Sequence, residues 1–143
     1  MQFHRMRPVL VAGAVVALDQ ATKWLARQSF VVEGPGREVI PGLFHLCYIR
    51  NRGAAWGLFA GWQAFLILFS LVALFLLVRH RRSLLGEVPL RWLVLGLLIG
   101  GICGNLIDRI LPPHEVIDFL DFHWGVHHFP AFNVADSSIC IGA

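Results

Sequence analysis

Charged residues are scarce in this sequence. Only 15% of its 143 residues are Asp, Glu, Lys or Arg, whereas soluble domains contain about 25%. At the same time 57% of the residues are hydrophobic, and the mean hydropathy is +0.66. A soluble chain of this size has too little interior to hide so much apolar surface. The composition therefore excludes an ordinary soluble domain and favours one integral membrane domain over residues 1–143.

Paired cysteine motifs are also lacking. The three cysteines, Cys47, Cys103 and Cys140, are scattered and form no CxxC pair. Two of them lie in apolar stretches, where cysteine behaves as a small hydrophobic residue. The cysteines therefore imply no disulfide framework.

A continuous basic patch is missing, although the net charge is +3. The basic residues instead stand where apolar runs end, with Arg5 and Arg7 before the first run and four arginines between residues 79 and 91. This pattern follows the positive-inside rule and argues against nucleic-acid binding. It places the N-terminus and the 79–91 loop in the cytoplasm, and residues 28–57 and 110–131 outside it.

Long apolar runs, in contrast, are abundant. A helix needs about 20 mostly apolar residues to cross the hydrocarbon core. Three runs approach this length, Val9–Ala26, Leu58–Val78 and Trp92–Ile107, and a shorter fourth extends from Phe132 to Ala143. The first run could instead be a cleaved signal peptide, but no A-x-A cleavage site follows it. The fourth is too short to span, so either the natural chain continues or this end is only half inserted.

The predicted fold is an all-α integral membrane protein, a bundle of four transmembrane helices whose last helix is truncated. Turn-forming glycines and prolines divide the outer segment near residues 33–52, and between them Val39-Ile40 and Phe44–Ile49 are typical of short strands. We therefore expect a small extracytoplasmic β-element as well.

Glycines recur every four residues in the third run. Gly96, Gly100 and Gly104 share one helical stripe, and small residues at this spacing let membrane helices approach closely. We interpret the stripe as a packing surface. The next position of the stripe is Asp108, so a polar group lies at the end of the surface along which the helices approach each other.

Several ionisable or amide side chains lie near the predicted outer helix ends. Such residues are costly in a membrane and usually face a bundle interior or water. Each has a structural explanation of its own: Asp19 and Lys23 can pair at i, i+4, and Asn133 can cap the fourth helix. Together they place polar groups at one membrane depth and predict a site, and they are Asp19, Lys23, Asn105, Asp108, Arg109, Asp118, Asn133 and Asp136.

Five short motifs occur in order along the chain: Asp19-Gln20-Ala21-Thr22-Lys23, Asn51-Arg52-Gly53-Ala54-Ala55-Trp56-Gly57, Gly104-Asn105-Leu106-Ile107-Asp108-Arg109, Val116-Ile117-Asp118-Phe119 and Phe132-Asn133-Val134-Ala135-Asp136. In this order and spacing the chain resembles the lipoprotein signal peptidases (signal peptidase II) from about residue 8 to residue 142. Trp56 stands where that family usually has phenylalanine.

The resemblance implies an aspartic endopeptidase of the bacterial inner membrane. It implies cleavage of prolipoproteins before a diacylglyceryl-modified cysteine at the extracytoplasmic face, inhibition by globomycin-type cyclic lipopeptides, and no cofactor. It assigns catalysis to Asp118 and Asp136 and substrate binding to Asn51, Asn105, Arg109 and Asn133. Supporting roles go to Asp19, Lys23, Gly53, Gly104, Asp108 and Ala135.

The residue types suit this chemistry. A water held between two carboxylates can attack a peptide bond, and two close carboxylates retain one shared proton. Ser137 and Ser138 have no histidine at a fixed spacing. His123, His127 and His128 lack a helical HExxH frame, so we expect no metal and assign these histidines to the interfacial aromatic belt.

Two other classes of function remain open from the residues alone. A small ion or proton transporter would use Asp19, Asp108, Asp118 and Asp136 as relays and predicts charges staggered through the bilayer. A non-catalytic membrane subunit would use the same polar groups only to bind a partner, and it would tolerate either Asp118 or Asp136 becoming asparagine.

Overall fold

A computed structural model describes residues 2–54, 58–86 and 90–143, with side chains from Met6 onward. Its elements, in chain order, are α1 (Gln2–Ser29), β1 (Arg37–Ile40), β2 (Phe44–Asn51), α2 (Gln63–Leu85), α3 (Arg91–Ile110), β3 (Val116–Trp124), β4 (His127–His128) and α4 (Val134–Gly142). Trp56 and residues 87–89 of the predicted cytoplasmic loop lie outside the described ranges.

Three of these helices are long and apolar enough to cross a membrane: Met6–Ser29, Gln63–Leu85 and Arg91–Ile110. The fourth helix has nine residues, fewer than a span requires. The four predicted helices therefore all form, but only three are candidate spans. Along α2 only Leu66 is buried, and large side chains such as Phe69 and Phe75 are exposed, as expected for a helix whose solvent is lipid.

The helix α1 begins before the predicted Val9 and α2 ends after the predicted Val78, while two helix starts are displaced by a turn or a cap. The helix α2 begins at Gln63 and not at Leu58, because residues 58–61 form a turn in which Phe59 and Gly61 have positive φ. The helix α4 begins at Val134, since Asn133 caps it: the Asn133 side chain accepts from the Asp136 N–H, and the Asp136 carboxylate accepts from the Asn133 N–H. The predicted cap is confirmed.

The glycine stripe is the contact surface between α3 and α1, as predicted. A Cβ added at Gly96 would lie 2.5 Å from the Val11 side chain, and one at Gly100 would lie 2.6 Å from the Val15 side chain. At Gly104 the nearest atom would be a carboxylate oxygen of Asp19, at 2.6 Å. The two helices therefore run in the same direction at close range, and this brings their polar ends together.

The β-element is larger than predicted. All four strands form one antiparallel sheet in the order β1-β2-β3-β4. The predicted strands correspond to β1 and β2, whereas β3 and β4 were not predicted as strands. The sheet packs on the end of α1 through a small core of Ala26, Tyr48, Ile117 and Phe119.

Candidate active site

A buried ion cluster joins α1 to α3. Lys23 Nζ lies 2.7 Å from an Asp19 carboxylate oxygen and 2.8 Å from one of Asp108, and it also donates to Asn105 Oδ1 at 3.0 Å. Lys23, Asp19 and Asp108 are at most 3% exposed. The predicted i, i+4 pair is thus one side of a triad, because α3 delivers the second carboxylate.

Asn133 connects this cluster to the two predicted catalytic carboxylates. Its side-chain amide donates to Asp118 Oδ1 at 2.7 Å and to Asn105 Oδ1 at 3.1 Å. Its backbone N–H donates to Asp136 Oδ2 at 3.1 Å, and Asn105 Nδ2 donates to Asp136 Oδ1 at 2.7 Å. The two aspartates therefore share one fully buried asparagine, although they come from a strand and a helix.

The third part of the site is the end of β2 and the loop that follows it. Asn51 Nδ2 donates to the second oxygen of Asp118 at 3.0 Å, while its own oxygen accepts from the Gly53 N–H at 2.8 Å. Arg109 Nη2 donates to the Gly53 carbonyl at 3.1 Å. Arg109 makes no ion pair with Asp19 or Asp108 among the described residues.

Asp118 lines an open cleft of about 720 Å³ beside the sheet. Asn51, Gly53 and Ala131 line the same cleft. Burial, followed by the charge of the neighbouring Asp136, raises the pKa of Asp118 from 3.8 to about 7. A carboxyl group with such a pKa holds a proton for a large part of the time at neutral pH. The site therefore combines a protonatable acid with an open cleft.

Asp121 stands apart from this network. It lies three residues after Asp118 on β3, and successive side chains on a strand point to opposite faces. Its carboxylate contacts His128, at 3.0 Å, and not Asn133 or Asn51. Asp121 also lies outside the motif Val116-Ile117-Asp118-Phe119.

A profile of the signal peptidase II family matches residues 11–143. The chain belongs to this family. Among its relatives, the lipoprotein signal peptidase of Nitratidesulfovibrio vulgaris is 45% identical and the match covers 93% of this chain and 82% of the relative. That of Geobacter sulfurreducens is 44% identical, with 97% and 87% covered, and that of Bacillus pumilus is 38% identical, with 93% and 84% covered.

Two solved structures have the same fold. Both are bacterial membrane enzymes determined by the in meso method, one at 2.3 Å and one at 1.9 Å resolution. They are 37% and 36% identical to this chain, with TM-scores of 0.83 and 0.76. Each match covers 94% of this chain, and 81% and 86% of the respective structures. The family and these likenesses make the chain a membrane peptidase of the signal peptidase II type.

The structure brings all twelve of the predicted site residues into one contiguous network. The supporting residues Ala135 and Gly104 contribute through the backbone: the Ala135 N–H donates to Asp19 at 2.9 Å, and the Gly104 carbonyl accepts from Gln20 at 3.2 Å. Gln20 was missing from the predicted site, yet its amide also donates to Asp108 at 3.1 Å. Its place directly after Asp19 in the first motif was the available signal.

Proposed function

We propose that this chain is an aspartic endopeptidase that removes signal peptides from prolipoproteins, with Asp118 and Asp136 as its catalytic pair. One observation carries the proposal: Asn133 holds a carboxylate oxygen of each aspartate, at 2.7 Å and 3.1 Å, where a cleft reaches Asp118. The names of its curated relatives support the substrate class.

The proposed mechanism uses one proton shared by the pair. Two neighbouring carboxylates do not both ionise easily, and the pKa of Asp118 near 7 fits such sharing. The ionised member takes a proton from a water molecule as that water attacks the peptide carbonyl, while the protonated member hydrogen-bonds the carbonyl oxygen. The proton assignments then reverse so that the leaving amine is protonated.

Substrate binding is proposed to combine the peptide with its lipid. The scissile bond precedes a diacylglyceryl-modified cysteine, and the acyl chains lie between the apolar helices. The N-terminus is cytoplasmic and the cleft opens on the extracytoplasmic face of the bacterial inner membrane, consistent with the arginines around residues 79–91. The many exposed apolar side chains on α2 support a lipid-facing surface beside the site.

The lipid requirement gives the first test. Burying acyl carbons contributes about 0.8 kcal/mol per CH₂, so burial of only four would amount to roughly 3 kcal/mol, or more than about 100-fold in kcat/KM. Purified protein should therefore cleave a diacylglyceryl-modified precursor at least about 100-fold faster than the unmodified precursor. A globomycin-type cyclic lipopeptide should compete with the modified precursor.

Mass spectrometry of the products checks both the rate and the cleaved bond. Comparable cleavage of the two precursors would contradict lipid recognition while leaving the peptidase function intact. Absence of cleavage of either precursor by folded protein would contradict the peptidase function itself and favour a non-catalytic subunit.

Arg109 gives a second test, because its guanidinium ties α3 to the loop at Gly53 while its Nε is buried without a hydrogen-bond partner among the described residues. We propose that this fork of donors also meets a substrate carbonyl. Lysine keeps the charge but loses the planar fork. The Arg109→Lys variant should stay folded and lose about 10- to 100-fold in kcat/KM, the range for one hydrogen bond to a charged group.

A matched control lies at the other end of the same helix, where Arg91 donates to the Gly86 carbonyl at 2.9 Å and is exposed. Arg91→Lys should change neither melting in detergent nor cleavage. Near-normal cleavage by both Arg109→Lys and Arg109→Ala would remove Arg109 from the substrate-binding set.

A further inference from the structure

A second polar cluster lies on the sheet, away from the aspartate pair. The strand registers place Glu38 opposite His45, His45 opposite Asp121, and His123 opposite His128. Directly paired residues share a face of a sheet, and so do residues two apart on one strand, such as Asp121 and His123. The five side chains therefore form one row across all four strands, on the face opposite Asp118.

The row is compact enough to hold a metal ion. One potential ligand atom each from Asp121, His123 and His128 lies within 4.8 Å of the others. His128 Nδ1 is 3.0 Å from Asp121 Oδ1, and His45 Nδ1 is 3.9 Å from Asp121 Oδ2. In a tetrahedral zinc site with bonds of about 2.0–2.2 Å, neighbouring ligand atoms are roughly 3.3 Å apart. Only small side-chain movements would bring the observed ligand atoms to the spacing of a tetrahedral zinc site.

His123 gives independent evidence that this row of side chains binds a further group. The residue is only 9% exposed, and its Nδ1 is buried with no hydrogen-bond partner among the described residues. Buried polar atoms are nearly always hydrogen-bonded, so an unpartnered one calls for an explanation. Its ring lies between those of His45 and His128, with centroids 4.5 Å and 5.0 Å away.

We propose that Asp121, His123 and His128 bind a divalent transition metal ion of the zinc class, with His45 as a fourth ligand. Neutral imidazoles and one carboxylate are the donors that such ions prefer. A second possible group, Glu38 with His45 and His123, shares two of these histidines. Asp121 is the better carboxylate, because its side chain is 13% exposed and that of Glu38 is 48% exposed.

The proposed site differs from the expectation, made from the sequence, that no metal binds and that these histidines belong to an interfacial belt. That expectation rested on the missing helical HExxH frame, whereas antiparallel pairing of β3 with β4 brings His123 and His128 together across two strands. The ion joins β2, β3 and the two-residue strand β4. It stabilises the sheet and takes no part in peptide cleavage, because it lies on the other face from Asp118.

The test uses the full chain, purified in detergent without a polyhistidine tag and stripped with EDTA. Cobalt(II) is titrated in as a spectroscopic probe, and zinc(II) is then used to displace it. We expect one equivalent of cobalt with visible absorption bands typical of low coordination number, displacement by zinc, and a melting temperature raised by several degrees with zinc but not with magnesium. Cleavage of the lipidated precursor should be the same before and after stripping.

Variants locate the site. His128→Ala removes a ligand whose side chain is 53% exposed, so the fold tolerates it, and Asp121→Asn preserves shape. Each should weaken cobalt binding at least tenfold and abolish the zinc-dependent rise in melting temperature. His127→Ala is the matched control, because His127 is exposed on the same strand and belongs to neither group. It should bind as the unchanged protein does.

Three outcomes would overturn the proposal: no saturable cobalt or zinc binding, binding that His128→Ala leaves intact, or equal weakening by His127→Ala. Loss of cleavage on metal removal would overturn the purely structural role. Metal binding is measured by absorption and melting and not by cleavage. Failure of the metal proposal is therefore distinguishable from failure of the proposed peptidase function.

Discussion

Replacing either Asp118 or Asp136 by asparagine should reduce prolipoprotein cleavage by about 10²–10⁴-fold or more, the range that general acid–base groups contribute. Asparagine keeps the size of the side chain but cannot exchange the proton that the pair shares. The double variant should be little worse than either single one, because residues that act as a unit have non-additive effects. Single-turnover cleavage of a lipidated precursor measures all three.

Folding must be separated from chemistry in this experiment. Both aspartates accept hydrogen bonds from Asn133, so each variant should also be compared with the unchanged protein by melting in detergent. Glu38→Gln removes an exposed carboxylate from β1 and should cleave normally. Substantial cleavage by either single aspartate variant would contradict the assignment and would direct the search to Asp121, the next carboxylate on β3.

The second large effect concerns stability. Lys23→Met should destabilise the protein by about 3–5 kcal/mol, because removal of one partner leaves an uncompensated charge in a buried cluster. Lys23 is 1% exposed and holds both Asp19 and Asp108, so its loss leaves two carboxylates without their cation. Unfolding by denaturant in detergent micelles measures the change. Cleavage should fall as well, since Lys23 also holds Asn105, the hydrogen-bond donor to Asp136.

A matched control for this variant is one helical turn away. Arg27 lies four residues after Lys23 on α1 but is exposed, so Arg27→Met should leave the free energy of unfolding almost unchanged. A double variant, Lys23→Met with Asp19→Asn, should recover part of the loss, because one of the two stranded charges is removed. Equal stability of Lys23→Met and the unchanged protein would show that the ion cluster makes no net contribution to the free energy of unfolding.

Much of the helical frame was predictable from the sequence. Apolar runs located the three long helices, although α1 begins seven residues before the predicted Val9 and α2 ends seven residues after the predicted Val78. A turn with positive φ at Phe59 delays the start of α2 to Gln63. Asn133 was predicted as a cap because capping is local and depends on side chains within three residues. The strand β3 was missed because it carries a buried aspartate on each face, Asp118 on one and Asp121 on the other, and aspartate is unfavourable in strands and masks the pattern.

The sequence by itself indicated a membrane protein, its family and the polar residues that cluster in the fold, since apolar composition, arginine placement and five ordered motifs are all properties of chain order. Tertiary structure alone decided which group each polar residue meets. Parallel packing along the glycine stripe gives Lys23 a second carboxylate, and strand register gives Asp121 two histidines while it aims Asp118 at Asn133. Such partners are 15 to 116 residues apart or paired across strands, and no local pattern encodes a distance between them.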